Sequence, residues 1–501
     1  MPNDLLEIAL SRRAFLKGAC ALTAVPATPS LGIAEPGIII NDASRLNPTP
    51  VAIHLTINSN ADAEFIARLR AELKAAATAQ RPFAVAVARH SMGGQSIPRD
   101  GTAITVTNGS CEIDSTRTTF RASAGATWRD VIATLDKAGF SPAVMQSNND
   151  FGVGSTFCVN AHGWPVPYGP FGSTVRAIRL MMADGSILRC APDENVELFG
   201  LAMGGYGLLG VVHDVEAAMV PNVLLKPTFE KMPSRDFAQR FLTSVNDEHV
   251  KMAYGRLSVA DRCFFEEALL CSFRPLMTPP GGLPPATETA AMFGGGWLAK
   301  SSNGSLTSIA RTIYRAQIQS EFAKRLRWFV ETEVGPMESS AATRNSLLNA
   351  PVADLADWDK SRTDILHEYF IPPERFSEFV RACQDIIPSS GLELLNVTLR
   401  YLKPDQQSVL AYARERRIAA VMSFSQNMTA DSERKMVAIT ETLIDRVINL
   451  GGAFYLPYRL YAYHDQVRAA YPRFDEFVER KRHYDPGLMF RNLMWDTYVD
   501  T

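Results

Sequence analysis

The chain has no Cys-x-x-Cys pair. Its seven cysteines are scattered from Cys20 to Cys383, which excludes the ligand spacing of zinc and iron–sulfur sites. No apolar run approaches the roughly 18 to 20 residues that a membrane span requires. There is no basic stripe or long block of like charge, and the formal net charge is only −2, so neither nucleic acid nor an anionic membrane surface is indicated as a partner. No internal repeat of solenoid or propeller type is present. What remains is a chain of 501 residues, 46% hydrophobic and 21% charged. That composition belongs to a globular protein too long for one core.

Ser11-Arg12-Arg13-Ala14-Phe15-Leu16-Lys17 is a twin-arginine pattern followed by a short, mildly apolar run, Gly18 to Val25. Gly32-Ile33-Ala34 before Glu35 suits small-residue cleavage, so residues 1–34 are expected to be an export signal and the protein periplasmic or secreted. That route carries folded proteins, which suits an enzyme loaded with its cofactor before export.

The first region, residues 45–225, mixes helices with many short strands. Ala61 to Gln80 has Phe65, Ile66, Leu69 and Leu73 at helical spacing. An apolar strand, Phe83 to Ala88, runs into Arg89-His90-Ser91 and the pair Gly93-Gly94. A loop of small residues leaving a strand can bring backbone N–H groups onto a phosphate. A neutral histidine at its lip can act as a nucleophile. A second glycine block runs from Gly152 to Gly163 and a third from Gly204 to Gly210. Residues 205–210 match G-x-G-x-x-G, but a dinucleotide fingerprint needs a strand before it and a helix after. Here Asn195 to Met203 reads as helix and Val211 to Glu216 as strand. The order is inverted, and a Rossmann domain is not expected.

Four motifs stand in order: Arg89-His90-Ser91-x-Gly93-Gly94-Gln95, Gly154-Ser155-Thr156-(four residues)-Ala161-His162-Gly163, Ala183-Asp184-Gly185-Ser186, and Glu197-Leu198-Phe199-(four residues)-Gly204-Gly205-Tyr206-Gly207-(two residues)-Gly210-Val211-Val212. Together they resemble the FAD-binding domain of the vanillyl-alcohol oxidase and p-cresol methylhydroxylase-type superfamily, nearest to the alditol and aldonolactone oxidases and the cytokinin dehydrogenases. The resemblance implies an α+β fold with a two-part FAD-binding domain, residues 45–225 and a returning segment 446–501. A sheet-and-helix cap over the substrate would occupy residues 226–445. It implies FAD against the glycine loops, with Arg89, Ser91, Gly93, Gly94, Gln95, Gly154, Ser155, Thr156, Asn160, Gly205, Gly207, Gly210, Val211 and Asn492 as cofactor contacts. His90 falls where relatives bond the flavin covalently.

In the cap, strand-like pieces Ile365–Ile371 and Leu395–Arg400 present Glu368, Tyr369, Asn396 and Arg400 as candidates for the substrate wall. Alternation fixes which residues share a face but not which face turns inward. Ser272 to Gly296 reads as a long loop, and Ser305–Val330 and Asp431–Asn449 as helices. Near the C-terminus, Tyr455, Arg459 and Asn492 lie on segments that the resemblance brings to the flavin. The expected activity is removal of hydride from a CH–OH carbon of a small polar substrate, with oxygen or another acceptor reoxidising the flavin. His162 and Tyr455 are candidate bases, and Arg459 a candidate stabiliser of a developing alkoxide. No metal ligand set is assigned. Two alternatives stay open. One is CH–NH oxidation, against which Ser147 stands where cytokinin dehydrogenases carry an aspartate, with Asp150 nearby but out of register. The other is a flavin-free binding protein on the same fold.

Overall fold

The computed structural model describes residues 37–287, 312–352 and 359–500. The twin-arginine stretch and the end of the loop expected to reach Gly296 lie outside the described residues. Within residues 38–500, helices and strands are mixed in three principal sheets.

The smallest of the three is parallel. Strand Thr102–Thr107 is central, with Ile53–Asn58 on one side and Phe83–Ala86 on the other. Helix Asp62–Thr78 covers it by burying Phe65, Leu69 and Leu73, the stripe expected from the sequence. The second sheet is antiparallel and is built around strand Val211–Pro221, which pairs with Val175–Met181 and Thr119–Ser123. Helix Val196–Ala202 precedes that strand, so the G-x-G-x-x-G lies between helix and strand, as its flanks required.

The third sheet has eight strands, all antiparallel, drawn from residues 224–454. Its middle runs Met252–Leu257, Glu393–Leu402, Arg417–Asn427, Arg362–Ile371. Three amphipathic helices bury their apolar residues beside this sheet: Ser234–Val245 with Phe237 and Phe241, Phe376–Ile386 with Phe376, Phe379, Val380 and Cys383, and Ala430–Asn449. The expected helix Ser305–Val330 is interrupted. Its described part turns at Gln317–Gln319, where Gln319 has φ +57°, and Ser320 then caps a new helix, Glu321–Phe329. The expected loop from Ser272 begins later, because strand Glu267–Pro275 takes in its first residues.

His367, on strand Arg362–Ile371, shows what the helix-covered face demands. It is 4% exposed, and burial alone pulls its imidazole down to about 3. Tyr369 Oη donates to Nδ1 at 3.1 Å, and Nε2–H points to Thr440 Oγ1 at 3.1 Å. Both bonds suit the neutral ring. Below an unfolded pKa of about 6.5 the unfolded chain binds a proton that the folded one refuses. His367 should therefore leave stability intact above pH 6.5 and remove about 1.4 kcal/mol per pH unit as pH falls from there toward 3. Denaturant titrations across this range should show a shallower slope for His367→Gln than for the parent. An equal slope would mean that other groups carry the acid sensitivity.

Candidate active site

A cavity of about 310 Å³ runs from the loop after strand Phe83–Ala86 to the inner face of the large sheet. The first wall is formed by the residues from Val85 to Ser91. Arg89 turns that loop with φ +49°, and its guanidinium reaches back to Thr105 Oγ1 at 2.6 Å. His90 stacks on Phe151, with ring centroids 4.0 Å apart and planes at 21°. Burial holds its imidazole below the ordinary value, opposed by Asp150. The second glycine block packs tightly here: a Cβ on Gly152 would lie 2.7 Å from Val87. Ser155 and Thr156 line the cavity, and Thr156 Oγ1 accepts from Trp128 Nε1 at 2.9 Å. Gly207 borders the cavity with φ +73° and open space where its Cβ would stand.

The opposite wall is the large sheet. Leu366 and Glu368 face the cavity from one strand, Val421 and Ser423 from the next, and Asn396, Thr398 and Arg400 from the third. His162 stands between the two walls. Its Nε2 hydrogen-bonds Glu368 Oε1, and Tyr458 Oη donates to Glu368 Oε2 at 3.2 Å. His162 and Glu368 are each 3% exposed. The Nδ1 of His162 is buried with no protein partner.

The structure corrects several expected contacts. Tyr369 points to the helix-covered face, where it meets His367 and Phe379, because the pleat sends it opposite to Glu368. Arg459 does not line the cavity: its guanidinium is spent on Glu433, Asn47 and Tyr461. Tyr455 lines the cavity but its hydroxyl donates to the Val159 carbonyl at 2.8 Å, and burial pushes its phenol well above the ordinary range. It is a poor base. The N–H groups of Gly93 and Gly94 bond Gln95 Oε1 and Asp42 Oδ2, so they brace the loop rather than offer themselves to a phosphate. Asn160 bonds Asp405 and the Gly172 amide. Gly154 is enclosed in helix Val153–Cys158, a Cβ on Gly205 or Gly210 would strike the carbonyl of Leu201 or Met181, and Val211 is core. Asn492 does not face the cavity either. Its Nδ2 donates to the carbonyls of Gln95 and Tyr206, and its Oδ1 caps Trp495 N–H. Gln95 lines the cavity while its Nε2 holds the carbonyls of Leu456 and Tyr458.

Tyr458, Thr398, Tyr314 and Phe151 also line the cavity and were not singled out from sequence. Two of them carried a readable signal: Thr398 lies midway between Asn396 and Arg400 on one pleated face, and Tyr458 lies between Tyr455 and Arg459 on the segment that the resemblance brings to the flavin.

The cavity thus lies between a glycine-loop wall and a polar sheet. The orphaned atoms along it, Arg89 Nε, Ser96 Oγ, Ser147 Oγ and His162 Nδ1, are buried polar groups that a polar occupant would satisfy. Residues 63–191 match the family model of an FAD binding domain. The chain therefore carries an FAD-binding domain of the p-cresol methylhydroxylase type, as its motifs implied. L-gulonolactone oxidase of Mus musculus is 29% identical over 117 residues, covering 23% of this chain and 27% of the relative. Alditol oxidase of a Streptomyces species is 33% identical over 119 residues, or 24% and 27% of the two chains. Cytokinin dehydrogenase 8 of Oryza sativa subsp. indica is 26% identical over 243 residues, or 44% and 45%. The chain thus spans between about a quarter and a half of the length of these relatives.

Proposed function

We propose that this protein is an FAD-dependent oxidoreductase acting on a CH–OH carbon of a small polar substrate, of the polyol, sugar or lactone kind. The observation that carries the reading is the His162–Glu368 pair, buried in the same cavity as the FAD-domain loops. Bound there, FAD supplies a two-electron acceptor for the substrate's hydride. The loop Val85–Ser91 and the residues Ser155, Thr156 and Gly207 would hold it.

The chain's own part is to position the carbinol and take its proton. Glu368 receives Nε2–H of His162, which fixes the tautomer and leaves the lone pair on Nδ1. That nitrogen is the base for the hydroxyl proton. Tyr458, its phenol kept protonated by burial and by Glu368, donates to the second carboxylate oxygen. A positive charge arising on His162 is thereby met by a carboxylate already in place.

Amine oxidation is the second reading, and Glu368 is the observation in its favour, since a buried carboxylate can hold an amine. Asp150 does not add to it, because its Oδ1 accepts from the Val352 amide at 3.1 Å. Anaerobic mixing of the purified holoenzyme with alditols, sugar lactones and amines decides between them. Bleaching of the flavin absorbance by hydroxyl compounds is expected. Bleaching by amines alone would overturn the alcohol reading, and protein isolated without a yellow chromophore would favour the flavin-free alternative.

His90 is the proposed covalent attachment point. Its neutral imidazole, held by Phe151 at the loop's lip, has the nucleophilic form that attachment needs. Acid-precipitated wild-type protein should stay yellow, and His90→Ala should lose its flavin to the supernatant. Fully extractable wild-type flavin would remove the assignment.

Export by the twin-arginine route is proposed on Arg12 and Arg13. Replacing both with Lys should trap flavin-loaded protein in the cytoplasm. An unaltered periplasmic yield would show that the stretch is not the signal.

A further inference from the structure

The polar groups on the sheet wall are mostly committed to one another. Asn396 Oδ1 accepts from Arg256 at 2.6 Å and Arg327 at 2.9 Å, and Asn396 Nδ2 lies 3.2 Å from Thr398 Oγ1. Ser423 Oγ takes the Tyr314 hydroxyl at 2.9 Å. Arg327 has its own carboxylate, Glu331, at 2.9 Å. Glu368 is shared by His162 and Tyr458. A neutral polyol, which needs several free donors and acceptors, would find few on this wall.

Arg400 differs. It lines the cavity, and its guanidinium makes one long bond, Nη1 to the His162 carbonyl oxygen at 3.4 Å. Its Nε is buried without a partner, and the carboxylate that acts on it, Glu368, stands beyond ion-pair distance and is already held by His162 and Tyr458. The β-bulge at Leu395 sets this up: Leu394 pairs with Phe424, but Asn396 pairs with Ser423, and the extra residue swings Asn396, Thr398 and Arg400 onto the cavity face. A half-buried guanidinium at a cavity wall with unused N–H donors is the protein group best matched to a carboxylate, which fills two donors and balances charge at once. One neutral hydroxyl would do neither.

We propose that the substrate carries a carboxylate held by Arg400, with its reacting carbinol turned toward His162, so that the substrate class is a hydroxy acid or sugar acid rather than a neutral polyol. This rests on the oxidoreductase reading given above: it keeps the CH–OH chemistry and replaces the neutral substrate with an acid. The carboxylate is an anchor and stays chemically unchanged.

Two measurements on the purified holoenzyme separate the proposal from that reading. The first is anaerobic flavin bleaching with matched pairs: an aldonate against the alditol of equal length, and a 2-hydroxy carboxylate against the corresponding diol. The second is titration calorimetry with malonate, which has no carbinol to oxidise. The acid of each pair should be the better substrate. Arg400→Gln should raise KM for the acid roughly 10- to 100-fold more than for its neutral partner, the scale of a lost hydrogen bond to a charged group. Malonate binding should weaken by a similar factor, and Arg400→Lys should restore part of both. Retained flavin absorbance in each variant checks that the fold survives. If neutral compounds bleach as well as acids and Arg400→Gln affects both alike, the carboxylate anchor falls while CH–OH oxidation stands. If nothing bleaches yet malonate binding depends on Arg400, the anchor stands and the reaction assignment falls. Malonate binding that is absent, or indifferent to Arg400, overturns the proposal.

Discussion

His162→Ala should slow anaerobic flavin reduction by roughly 10²- to 10⁴-fold, the usual contribution of a positioned proton-transfer group. The side chain is buried in the cavity wall with one nitrogen tied to Glu368 and the other without a protein partner, and its loss leaves Glu368 as the remaining base on that wall. Glu368→Gln keeps the shape but removes the charge that meets the protonated ring, and should also slow the reaction severely. Tyr458→Phe costs one neutral donor to Glu368 and should lower the rate by about tenfold or less, the scale of a single net hydrogen bond. Tyr455→Phe should do no more, because its hydroxyl is already bound to the Val159 carbonyl. Stopped-flow absorbance with a saturating substrate measures all four. A His162→Ala rate within a fewfold of the parent would move the base elsewhere in the cavity.

Asp485→Ala is expected to be the most damaging single change to stability. Lys481 and Asp485 form an ion pair at the end of helix Phe474–Tyr484, with side-chain exposures of 0% and 1%. Asp485 also accepts the Met489 and Phe490 amides at 2.9 and 2.8 Å. Burial lowers the Lys481 pKa, opposed by its partner. Removing only the acid strands a buried ammonium and two amides, which costs about 3–5 kcal/mol for breaking such a pair. The double variant Lys481→Met/Asp485→Ala should recover a substantial part, since no buried charge remains. Urea midpoints test this, and a double variant no better than Asp485→Ala would show that the two bonded amides, not the stranded charge, set the cost.

Local pattern was readable in the sequence where one face of an element is buried. Helices Asp62–Thr78 and Ala430–Asn449 fall within a residue or two of expectation because their periodicity is strong. The inverted order around Gly205–Gly210 was readable for the same reason. Strands Leu224–Pro233, Met252–Leu257 and Arg417–Asn427 were not: Met252–Leu257 is buried throughout, so it shows no alternation, and pairing partners far away in sequence decide its state. At the site, the motifs located the loops but could not say which atoms face inward. Glu368 and Tyr369 are neighbours in sequence and opposite in space, and the Leu395 bulge that aims Arg400 has no sequence signal. Arg459 and Asn492 were drawn to the flavin by resemblance, whereas their hydrogen bonds show them tying segments together behind the wall.

Those ties have a consequence for how the protein is made. Met92 N–H bonds the Pro457 carbonyl, Gln95 reaches the carbonyls of Leu456 and Tyr458, Leu493 N–H bonds Gly94, and Phe83 N–H bonds Met489. The loop that carries His90 is thus held in shape by residues translated some 360 to 400 positions later. A ribosome adding about 5–20 residues per second exposes that loop for tens of seconds before its braces exist. Flavin capture is therefore expected only of the finished polypeptide, and a nascent chain stalled before residue 456 should emerge colourless.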